Sequence, residues 1–362
     1  MIKRVFTEED GDINHILNFT IAVIGYGNQG RAQALNMRDS GLKVIVGNKE
    51  DEYKERAIKD GFEVFSINEA AKQGDILFFL IPDEIMKDIY ERDIKENLRD
   101  NGALVFASGY NIAFDIVKPL EKHDTLLIAP RMIGVGVRER FLSKEGFYSF
   151  IHVERDASGN AKKILLALCK AIGTLSKGAI DVTFKQEAVL DLFNEQAFGP
   201  AFGRVLLTSI YTLIDAGYPA EAVLTEMYMS EEMSYTYRKM AQVGLVKQVD
   251  FHSQTSQYGA MTRGIKFRNL PLKKKMKDVL ENIESGNFAE EWKKKSSKLK
   301  FKFIKFFATK VRINKLEQKA RKNLNVPETE MFYYSEPSVE NPKELEQIKE
   351  ELEEFEEYFK EI

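Results

Sequence analysis

The sequence predicts an N-terminal α/β domain followed by an all-α domain, and three observations lead to this fold class. Apolar strand-like segments alternate with helical segments through the first half of the chain, which is typical of a doubly wound parallel sheet. A glycine-rich turn follows the first buried strand. From Phe184 onward no convincing strand remains, and long helical patterns follow. We therefore expect a Rossmann sheet domain and then a helical domain.

The glycine-rich turn lies in residues 21–32, whose sequence is IAVIGYGNQGRA. It reads as an apolar strand, a G-x-G-x-x-G turn and the start of a helix, with a second apolar strand at residues 44–46. This is the context in which such a turn binds a dinucleotide. Gly25 permits the tight turn, Gly27 lets the backbone approach a pyrophosphate, and Gly30 allows helix and strand to pack closely. The alternative is an ordinary strand–helix turn that uses glycine only for its geometry.

The remaining elements follow in order along the chain. Strands are expected at residues 43–46, 63–65, 75–81, 103–107, 126–129 and 147–153. Helices between them are expected at residues 51–59 and 83–98, and another is expected after residues 156–159, ending at Ile172. In the second half, helices are expected at residues 187–214, 219–242, 272–284 and 289–324. The change of pattern near Val182 marks the expected domain boundary.

Composition and charge narrow the class of protein. A chain of 362 residues is long for a single core, so two domains are expected. The net charge of −3 indicates neither a nucleic-acid nor a membrane partner. Cys169 is the only cysteine, which excludes an internal disulfide, and its apolar neighbours indicate a core position. With no cleavable signal and no apolar run near about 18 residues, a soluble cytoplasmic protein is expected.

Two C-terminal segments have biased charge. Residues 273–322 are strongly basic, and within them residues 298–307 place apolar side chains on one helical face with lysines around it. A nucleic-acid or membrane-surface role is conceivable, but a solvated helix packed on the core is favoured. Residues 341–362 are rich in Glu and carry apolar residues at helical spacing. We expect this acidic tail to pack on the basic segment or across a dimer.

One pair of acidic residues has a spacing that suits a metal ion. Asp191 and Glu195 are four positions apart and share one face of the expected helix. Paired carboxylates suit Mg²⁺, which keeps several water ligands that substrate oxygens can displace. Such pairs are more often solvated helix surface, so the spacing alone leaves both interpretations open.

Several longer motifs occur along the chain in a fixed order. They are VIGYGNQG at residues 23–30, PDEI at 82–85, GYNI at 109–112, DASGNAK at 156–162, TFK at 183–185, DLFNEQ at 191–196 and FAEEW at 288–292. With these motifs the chain, over residues 19–326, resembles the short form of ketol-acid reductoisomerase, also called acetohydroxy acid isomeroreductase. The resemblance implies a knotted helical domain after the Rossmann domain, and a homodimer or larger oligomer with a shared active site. The implied reaction is a Mg²⁺-dependent alkyl shift in a 2-acetohydroxy acid and its reduction by NADPH, in valine and isoleucine synthesis.

The resemblance also implies which residues form the site. The cofactor-binding residues would be Gly25, Tyr26, Gly27, Asn28, Gln29, Gly30, Lys49, Asp83, Glu84, Ile85, Met86 and Gly134. The metal ligands would be Asp191, Glu195 and Glu226, the last supplied by the second subunit. Ser108 and Arg131 stand at catalytic positions, and Ser253 matches a serine that contacts the substrate. The implied domains are residues 1–182 for dinucleotide binding, 183–328 for dimerisation and metal binding, and 329–362 for the tail helix.

At several positions the chain departs from the family pattern. Ser108 and Val135 stand where the family has histidines, and Arg131 stands where it has a lysine. Arginine keeps the positive charge but does not readily give up a proton, and valine neither donates nor accepts a hydrogen bond. The family's fourth acidic ligand falls on Ser230 when the chain is aligned from one side, and on Glu232 or its acidic neighbour when aligned from the other. The second metal position therefore stays open.

The loop after the second strand of the dinucleotide fold bears on the choice of cofactor. Lys49 stands where the NADPH-using family has an arginine, and residues 50–52, Glu-Asp-Glu, fall near its phosphate-binding serines. A carboxylate accepts a hydrogen bond from a ribose 2′-hydroxyl and repels a 2′-phosphate. We therefore expect NADH to be used at least as well as NADPH. The alternative is that the acids face solvent and Lys49 alone decides, which would leave a mild NADPH preference.

Three functions remain open from the sequence. The first is a working but divergent ketol-acid reductoisomerase. The second is a paralogue that reduces another 2-keto acid without the alkyl shift. The third is a non-catalytic dinucleotide-binding protein.

Overall fold

The computed structural model describes residues 4–326 and 342–361. The chain forms two compact units, Met1–Leu192 and Phe193–Ile362. The boundary between them falls inside a helix that begins at Phe184, later in the chain than the expected change near Val182. The expected start of the tail segment, at residue 329, lies outside the described residues.

The first unit is built around a nine-stranded sheet. Its strands are β1 Val5–Phe6, β2 Thr20–Ile24, β3 Lys43–Gly47, β4 Glu63–Phe65, β5 Ile76–Phe79, β6 Ala103–Phe106, β7 Asp124–Pro130, β8 Tyr148–Arg155 and β9 Gly178–Asp181. Their order across the sheet is β1-β9-β8-β7-β6-β5-β2-β3-β4. The strands from β2 to β7 pair in parallel, which confirms the doubly wound Rossmann pattern.

The complete sheet is mixed rather than wholly parallel, which corrects the sequence-based expectation. β8 runs antiparallel to β7, and β1 runs antiparallel to β9. The apolar pattern of a strand does not encode the direction of its neighbour, so the sequence could not show this reversal. β1 and β9 were not expected, because β1 has only two residues and β9, Gly-Ala-Ile-Asp, contains a single β-branched residue.

Apolar side chains on both faces of the central strands form the core. In β2, Ile21 and Val23 enter one cluster of buried residues, whereas Ala22 and Ile24 enter a second cluster. This is the two-residue alternation of a strand. Every residue of β5 and β6 is buried, as expected for parallel strands that are covered by helices on both faces.

Helices connect the strands of the first unit. They are α1 Asn28–Asp39, α2 Glu52–Lys59, α3 Ile67–Gln73, α4 Asp83–Ile89, α5 Tyr110–Ala113, α6 Gly134–Leu142 and α7 Ala161–Ile172. The helix expected at residues 83–98 is shorter and continues into a π-helical turn, Tyr90–Ile94. α7 ends at the expected residue, because Gly173 adopts a left-handed conformation (φ 92°) that terminates the helix.

The described part of the second unit contains helices and no strand, which confirms its all-α class. The helices from the unit boundary onward are α8 Phe184–Phe193, α9 Gly199–Asp215, α10 Ala220–Leu224, α11 Glu232–Val243, α12 Gln254–Gly264, α13 Leu272–Glu284, α14 Asn287–Trp292, α15 Lys295–Ala308, α16 Arg312–Asn323 and α17 Pro342–Glu361. π-helical turns at Asn194–Phe198 and Thr225–Met229 follow α8 and α10. The helix expected at residues 289–324 is divided into three, and the one at 219–242 breaks at Glu231, whose φ is 62°.

The acidic tail helix α17 packs on α15 of the same chain. Ile348 and Leu352 of the tail are buried together with Leu299. Lys300 of α15 donates to Glu351 of the tail at 2.6 Å. The tail was expected to pack either on the basic segment or across a dimer, and these contacts are with the basic segment of its own chain.

One described helix is long and apolar enough, by length and composition alone, to cross a membrane. It is the continuous helix Phe184–Asp215, with 32 residues. It contains no uninterrupted apolar run, because Arg204 and scattered polar residues lie within it. Since core helices of globular proteins meet the same criterion, the observation is weak support for a membrane role.

Candidate active site

The candidate site lies at the carboxyl ends of the central strands, next to β2. The chain places β3 and β4 on one side of β2 and then β5, β6 and β7 on the other side, so the direction in which strands are added reverses at β2. In open α/β sheets, the crevice at such a point binds the ligand. The connections after β2, β3, β5, β6 and β7 carry the residues that were predicted to bind cofactor or to act in catalysis.

The glycine turn after β2 has a geometry that side chains would disrupt. Gly25 has a φ of 91°, and a Cβ there would lie 2.6 Å from the carbonyl oxygen of Leu80. A Cβ at Gly30 would lie 2.0 Å from the carbonyl oxygen of Gly25, so α1 packs directly on the turn. At Gly27, the N-terminal cap of α1, a Cβ would meet nothing within 4 Å. The amides that begin α1 therefore border free space, which suits a pyrophosphate.

Tyr26 belongs to the glycine turn, but its side chain is buried in the protein. Its hydroxyl donates to Asp60 at 2.9 Å, and burial raises the pKa of this hydroxyl. Arg31 forms a bidentate ion pair with the same carboxylate, at 2.7 and 3.1 Å. The backbone of Tyr26, rather than its ring, is thus the part that is available to a cofactor.

Asn48, at the end of β3, connects the glycine turn to the loop that bears on cofactor choice. Its Oδ1 accepts from the Tyr26 amide at 3.3 Å, and its Nδ2 donates to Asp51 at 2.7 Å. Asp51 also caps α2 by accepting from two amides of the first turn. Lys49 is exposed and lies 3.6 Å from Asp51. Asp51 is therefore an acid of this loop whose carboxylate is fixed by several hydrogen bonds.

The predicted cofactor residues after β5 differ in their exposure. Asp83 begins α4 and accepts from the side chain of Asn111 at 2.6 Å, which ties this connection to the one after β6. Glu84 and Ile85 are exposed. Met86 is buried and packs into the core, so its side chain is not available to a cofactor. The motif indicated a binding segment, and within it the side chains of Glu84 and Ile85 are accessible from solvent whereas that of Met86 is not.

Arg131 lies just beyond the carboxyl end of β7, between two carboxylates of α8. Its guanidinium donates to Glu187 at 2.9 Å and forms a second ion pair with Asp191. The guanidinium carbon also lies 4.9 Å from the ring centroid of Phe150. A residue at a predicted catalytic position and a predicted metal ligand are therefore in direct contact within the first unit.

Glu187 was not predicted, and it is the most buried acid of this cluster. It is 1% exposed and accepts the amide hydrogen of Gly109 at 2.5 Å. Burial raises the pKa of Glu187 to about 7, because a charged carboxylate is poorly solvated there. One signal in the sequence could have found this residue, since Glu187, Asp191 and Glu195 recur every four positions and so follow one helical face.

Ser108 and Gly134 complete the predicted set in the first unit. The Ser108 hydroxyl accepts from the Tyr110 amide at 3.2 Å, which closes the turn before α5. Gly134 begins α6, and a Cβ there would lie 2.2 Å from the carbonyl oxygen of Asn28. The connection after β7 therefore presses against the first residue of α1.

Glu195, Glu226 and Ser253 belong to the second unit. Glu195 and Glu226 are exposed, and each lies in a π-helical turn. Such turns are rare and frequently occur at functional sites. Ser253 is exposed and caps α12 by accepting from the amide of Ser256 at 3.3 Å. Among the described residues, no three His, Cys, Asp or Glu side chains come together as a metal site.

The residues of the first unit fit a nicotinamide dinucleotide, and the fit to Mg²⁺ is partial. Gly25 and Gly30 permit close backbone packing at the turn, and the space beside Gly27 is free for phosphates. Carboxylates are the correct ligands for Mg²⁺, but Arg131 already neutralises Asp191. The carboxylates present are thus of the right type for Mg²⁺, but no group of three such ligands comes together among the described residues.

Comparisons with known proteins cover both units. Residues 15–178 match the family model of the acetohydroxy acid isomeroreductase NADPH-binding domain, and residues 184–326 match that of the ketol-acid reductoisomerase C-terminal domain. The ketol-acid reductoisomerase (NADP(+)) of Petrotoga mobilis is 42% identical over 291 residues, which is 80% of this chain and 88% of that protein. The enzyme of the same name from Methanopyrus kandleri is 40% identical over 295 residues, which is 80% of this chain and 88% of that protein.

A solved structure is similar over nearly the full length. It is the NADH-preferring ketol-acid reductoisomerase from an uncultured archean, with a TM-score of 0.77 and 30% identity, covering 97% of this chain and 99% of that one. These matches favour an enzyme over a non-catalytic dinucleotide-binding protein. The chain is therefore a nicotinamide-dependent oxidoreductase, and it belongs to the ketol-acid reductoisomerase family.

Proposed function

We propose that this enzyme performs both steps of the family reaction on a 2-acetohydroxy acid such as acetolactate. The steps are an alkyl migration and a reduction by NAD(P)H, in valine and isoleucine synthesis. The observation that carries the proposal is the cluster of Arg131, Glu187 and Asp191 beyond the end of β7. It places one cation and two carboxylates at the edge of the sheet where a Rossmann domain binds its cofactor.

The groups of this cluster have different chemical capacities. The guanidinium of Arg131 stays protonated at physiological pH, so it is suited to hold a substrate oxyanion or carboxylate and not to transfer a proton. Glu187, whose pKa is raised to about 7 by burial, can hold or release a proton near neutral pH. In this arrangement the arginine stabilises negative charge, and the glutamate is the group that titrates.

Mg²⁺ is part of this proposal. Asp191, Glu195 and Glu226 would hold it, with Glu226 contributed by a second copy of the chain. When bound, Mg²⁺ polarises substrate oxygens as a Lewis acid. The support is the chemistry of the carboxylates and the placement of Glu195 and Glu226 in π-helical turns. Ser253, at the start of α12, would contact the substrate.

We propose further that NADH is used at least as well as NADPH. Asp51 is held by Asn48 and by its capping of α2, so a fixed carboxylate stands in the loop after β3. Such a group accepts a hydrogen bond from a ribose 2′-hydroxyl and repels a 2′-phosphate. The similar archaeal enzyme prefers NADH, which supports the same choice here.

A second candidate function is the reduction of another 2-keto acid without the alkyl shift. Its support is the ion pair between Arg131 and Asp191, because a cation on a predicted Mg²⁺ ligand competes with the metal. Val135, which is exposed, also replaces a hydrogen-bonding histidine in the same connection. An enzyme of this kind would reduce its substrate without metal-assisted migration.

The proposed assembly is a homodimer or larger homo-oligomer that works in the cytoplasm, with the helical domain interlocked as a knot. The second unit exposes large apolar side chains in its described part, among them Leu245, Tyr258 and Phe267. Exposed apolar patches commonly mark protein–protein contacts. Apart from a second copy, the proposed partner is a small-molecule acid, and neither nucleic acid nor a membrane is included.

One assay separates the candidate functions. Cofactor oxidation is measured with 2-acetolactate and with 3-hydroxy-3-methyl-2-ketobutyrate, each with Mg²⁺. The first substrate needs both steps, whereas the second needs reduction only. Turnover of both supports the full reaction, and turnover of the second alone supports a reductase without isomerase activity. Failure with both substrates would contradict the proposed function.

A further inference from the structure

A side-chain amide of α1 holds the connection that carries Arg131. The Nε2 of Gln29 donates to the carbonyl oxygen of Met132 at 2.9 Å, although 103 positions separate the two residues. Gln29 lies in the first turn of α1, directly after the glycine turn, and Met132 directly follows Arg131. The contact therefore joins the dinucleotide-binding turn to the backbone beside the guanidinium.

A second amide fixes the direction of the first. Gln33, one helical turn later, is fully buried, and its Nε2 donates to the Oε1 of Gln29 at 3.1 Å. Because this oxygen accepts from Gln33, the nitrogen of the Gln29 amide is directed at Met132. The Oε1 of Gln33 is buried and has no hydrogen-bond partner in the described structure. A buried polar group without a partner costs free energy, so stability alone does not account for this amide pair.

A backbone contact supports the same junction. A Cβ at Gly134 would lie 2.2 Å from the carbonyl oxygen of Asn28, so the start of α6 lies directly against the start of α1. Two independent contacts thus set the spacing between the glycine turn and residues 131–134. The other bonds of Arg131, to the carbonyl of Tyr148 and to the carboxylates of α8, do not involve the glycine turn.

We propose that Gln29 is a positioning residue, oriented by Gln33, that holds Arg131 at a fixed distance from the bound dinucleotide. The proposal rests on the proposed function, since Arg131 must hold the substrate while the cofactor reduces it. The motif placed Gln29 among the cofactor-binding residues, and its side-chain amide donates to the connection that carries Arg131. Small displacements of reacting groups lower turnover strongly even when both ligands still bind.

The test uses the full-length enzyme and the variant Gln29→Met, which keeps the length of the side chain and removes the donor. Turnover of 3-hydroxy-3-methyl-2-ketobutyrate should fall about tenfold or more, with less than about a threefold change in the dissociation constant of NADPH, measured by titration. The amides of Arg131 and Val137 are hydrogen-bonded on either side of Met132, and in the cofactor-free enzyme their hydrogen exchange should become about tenfold faster. Gln33→Leu should shift both readouts in the same direction. Arg31→Gln, which removes an ion pair elsewhere on α1, is the control for exchange at these two amides.

The outcomes separate this inference from the proposed function. Unchanged exchange at the amides of Arg131 and Val137 in Gln29→Met would overturn the positioning role. Weakened NADPH binding with unchanged turnover would also overturn it, because Gln29 would then be a cofactor ligand only. If the parent enzyme failed to turn over either substrate, the proposed function would fall, and the exchange experiment would still decide whether Gln29 holds the connection.

Discussion

Arg131 and Asp191 form an ion pair, although 60 positions separate them in the sequence. One follows the strand β7, and the other lies on the helix α8. The pair brings together a predicted catalytic position and a predicted Mg²⁺ ligand. Because the same carboxylate cannot be fully neutralised by the arginine and also bind the metal at full strength, this pair is the feature on which the two candidate functions differ.

The first prediction concerns Asp191→Asn, which removes a ligand charge and nearly preserves the shape of the side chain. If Asp191 binds Mg²⁺, turnover of 2-acetolactate should fall at least about a hundredfold, because lost Lewis-acid stabilisation amounts to several kcal/mol. Binding of NADH should be unchanged, since the glycine turn is not altered. Steady-state kinetics over a range of Mg²⁺ concentrations and a cofactor titration measure both effects.

The matched control for this experiment is Asp215→Asn, at the other end of the helix Phe184–Asp215. Asp215 is exposed and pairs with Arg312 on the surface, so its replacement should leave the Mg²⁺ dependence unchanged. An Asp191→Asn variant that binds Mg²⁺ and substrate as well as the parent would show that the metal assignment is wrong.

The second prediction concerns the pH dependence of stability. Burial raises the pKa of Glu187 from 4.5 to about 7, so between these values the folded state binds more protons than the unfolded state. The stabilising contribution of protonated Glu187 to the free energy of unfolding is therefore fully present below about pH 4.5 and is lost as the pH rises through about 7. The variant Glu187→Gln has no titrating group at this position. The difference between its free energy of unfolding and that of the parent should therefore increase by roughly 2 to 3 kcal/mol between pH 5 and pH 8.

Urea denaturation of both proteins at these two pH values tests this prediction. Glu139→Gln, which removes an exposed carboxylate from α6, controls for the loss of one acidic group. Parallel stability curves for the parent and Glu187→Gln would contradict a raised pKa at this position.

The sequence was sufficient to predict the central fold, because its signals there are local. The continuous apolar runs of β5 and β6 and the G-x-G-x-x-G turn each specify one element from neighbouring residues. The direction of β8 depends on its pairing with β7, which no local pattern records. The break in the helix expected at residues 219–242 has a similar cause, because Glu231 has a positive φ that its residue type does not predict.

The candidate site was predictable in its segments and less so in its contacts. The motifs indicated the segments of the candidate site, but the burial of Met86 in a core cluster and the packing of Tyr26 on Phe62 depend on tertiary contacts. Glu187 follows the same helical spacing as Asp191, yet its hydrogen bond to Gly109 spans 78 positions. Contacts of this length arise from tertiary structure, so the sequence alone could not assign them.

The third prediction concerns assembly. Leu245, Tyr258 and Phe267 expose apolar surface in the second unit, and removal of such surface from water stabilises an oligomer. We expect the enzyme to behave as a dimer or larger species at micromolar concentration, and its melting temperature to depend on protein concentration. Light scattering and melts over a range of dilutions measure this. A folded monomer at micromolar concentration would count strongly against the prediction.

The fourth prediction concerns the tail helix. Leu352 is buried against α15, so Leu352→Ala should reduce the free energy of unfolding by roughly 2 kcal/mol. The ion pair of Lys300 with Glu351 should contribute only about 0 to 1 kcal/mol, because it lies at the surface.

Deletion of residues 341–362 should lower the melting temperature. Glu353→Ala, on the exposed side of the same helix, is the control. An unchanged melt together with rapid proteolysis of the tail in the intact enzyme would show that it is a free arm.

The last prediction concerns the choice of cofactor. Asp51 accepts from Asn48 and from amides of α2, whereas Glu50 is largely exposed and pairs with Lys54. NADH should bind the parent enzyme at least as tightly as NADPH. Asp51→Ser keeps a good helix cap and removes the carboxylate, so it should shift the ratio of the two dissociation constants toward NADPH by about tenfold, or 1.4 kcal/mol. Glu50→Ser is the matched control and should leave the ratio nearly unchanged. Titration of both reduced cofactors at moderate salt decides the question, and tenfold tighter binding of NADPH to the parent would contradict the prediction, since Lys49 alone would then set the preference.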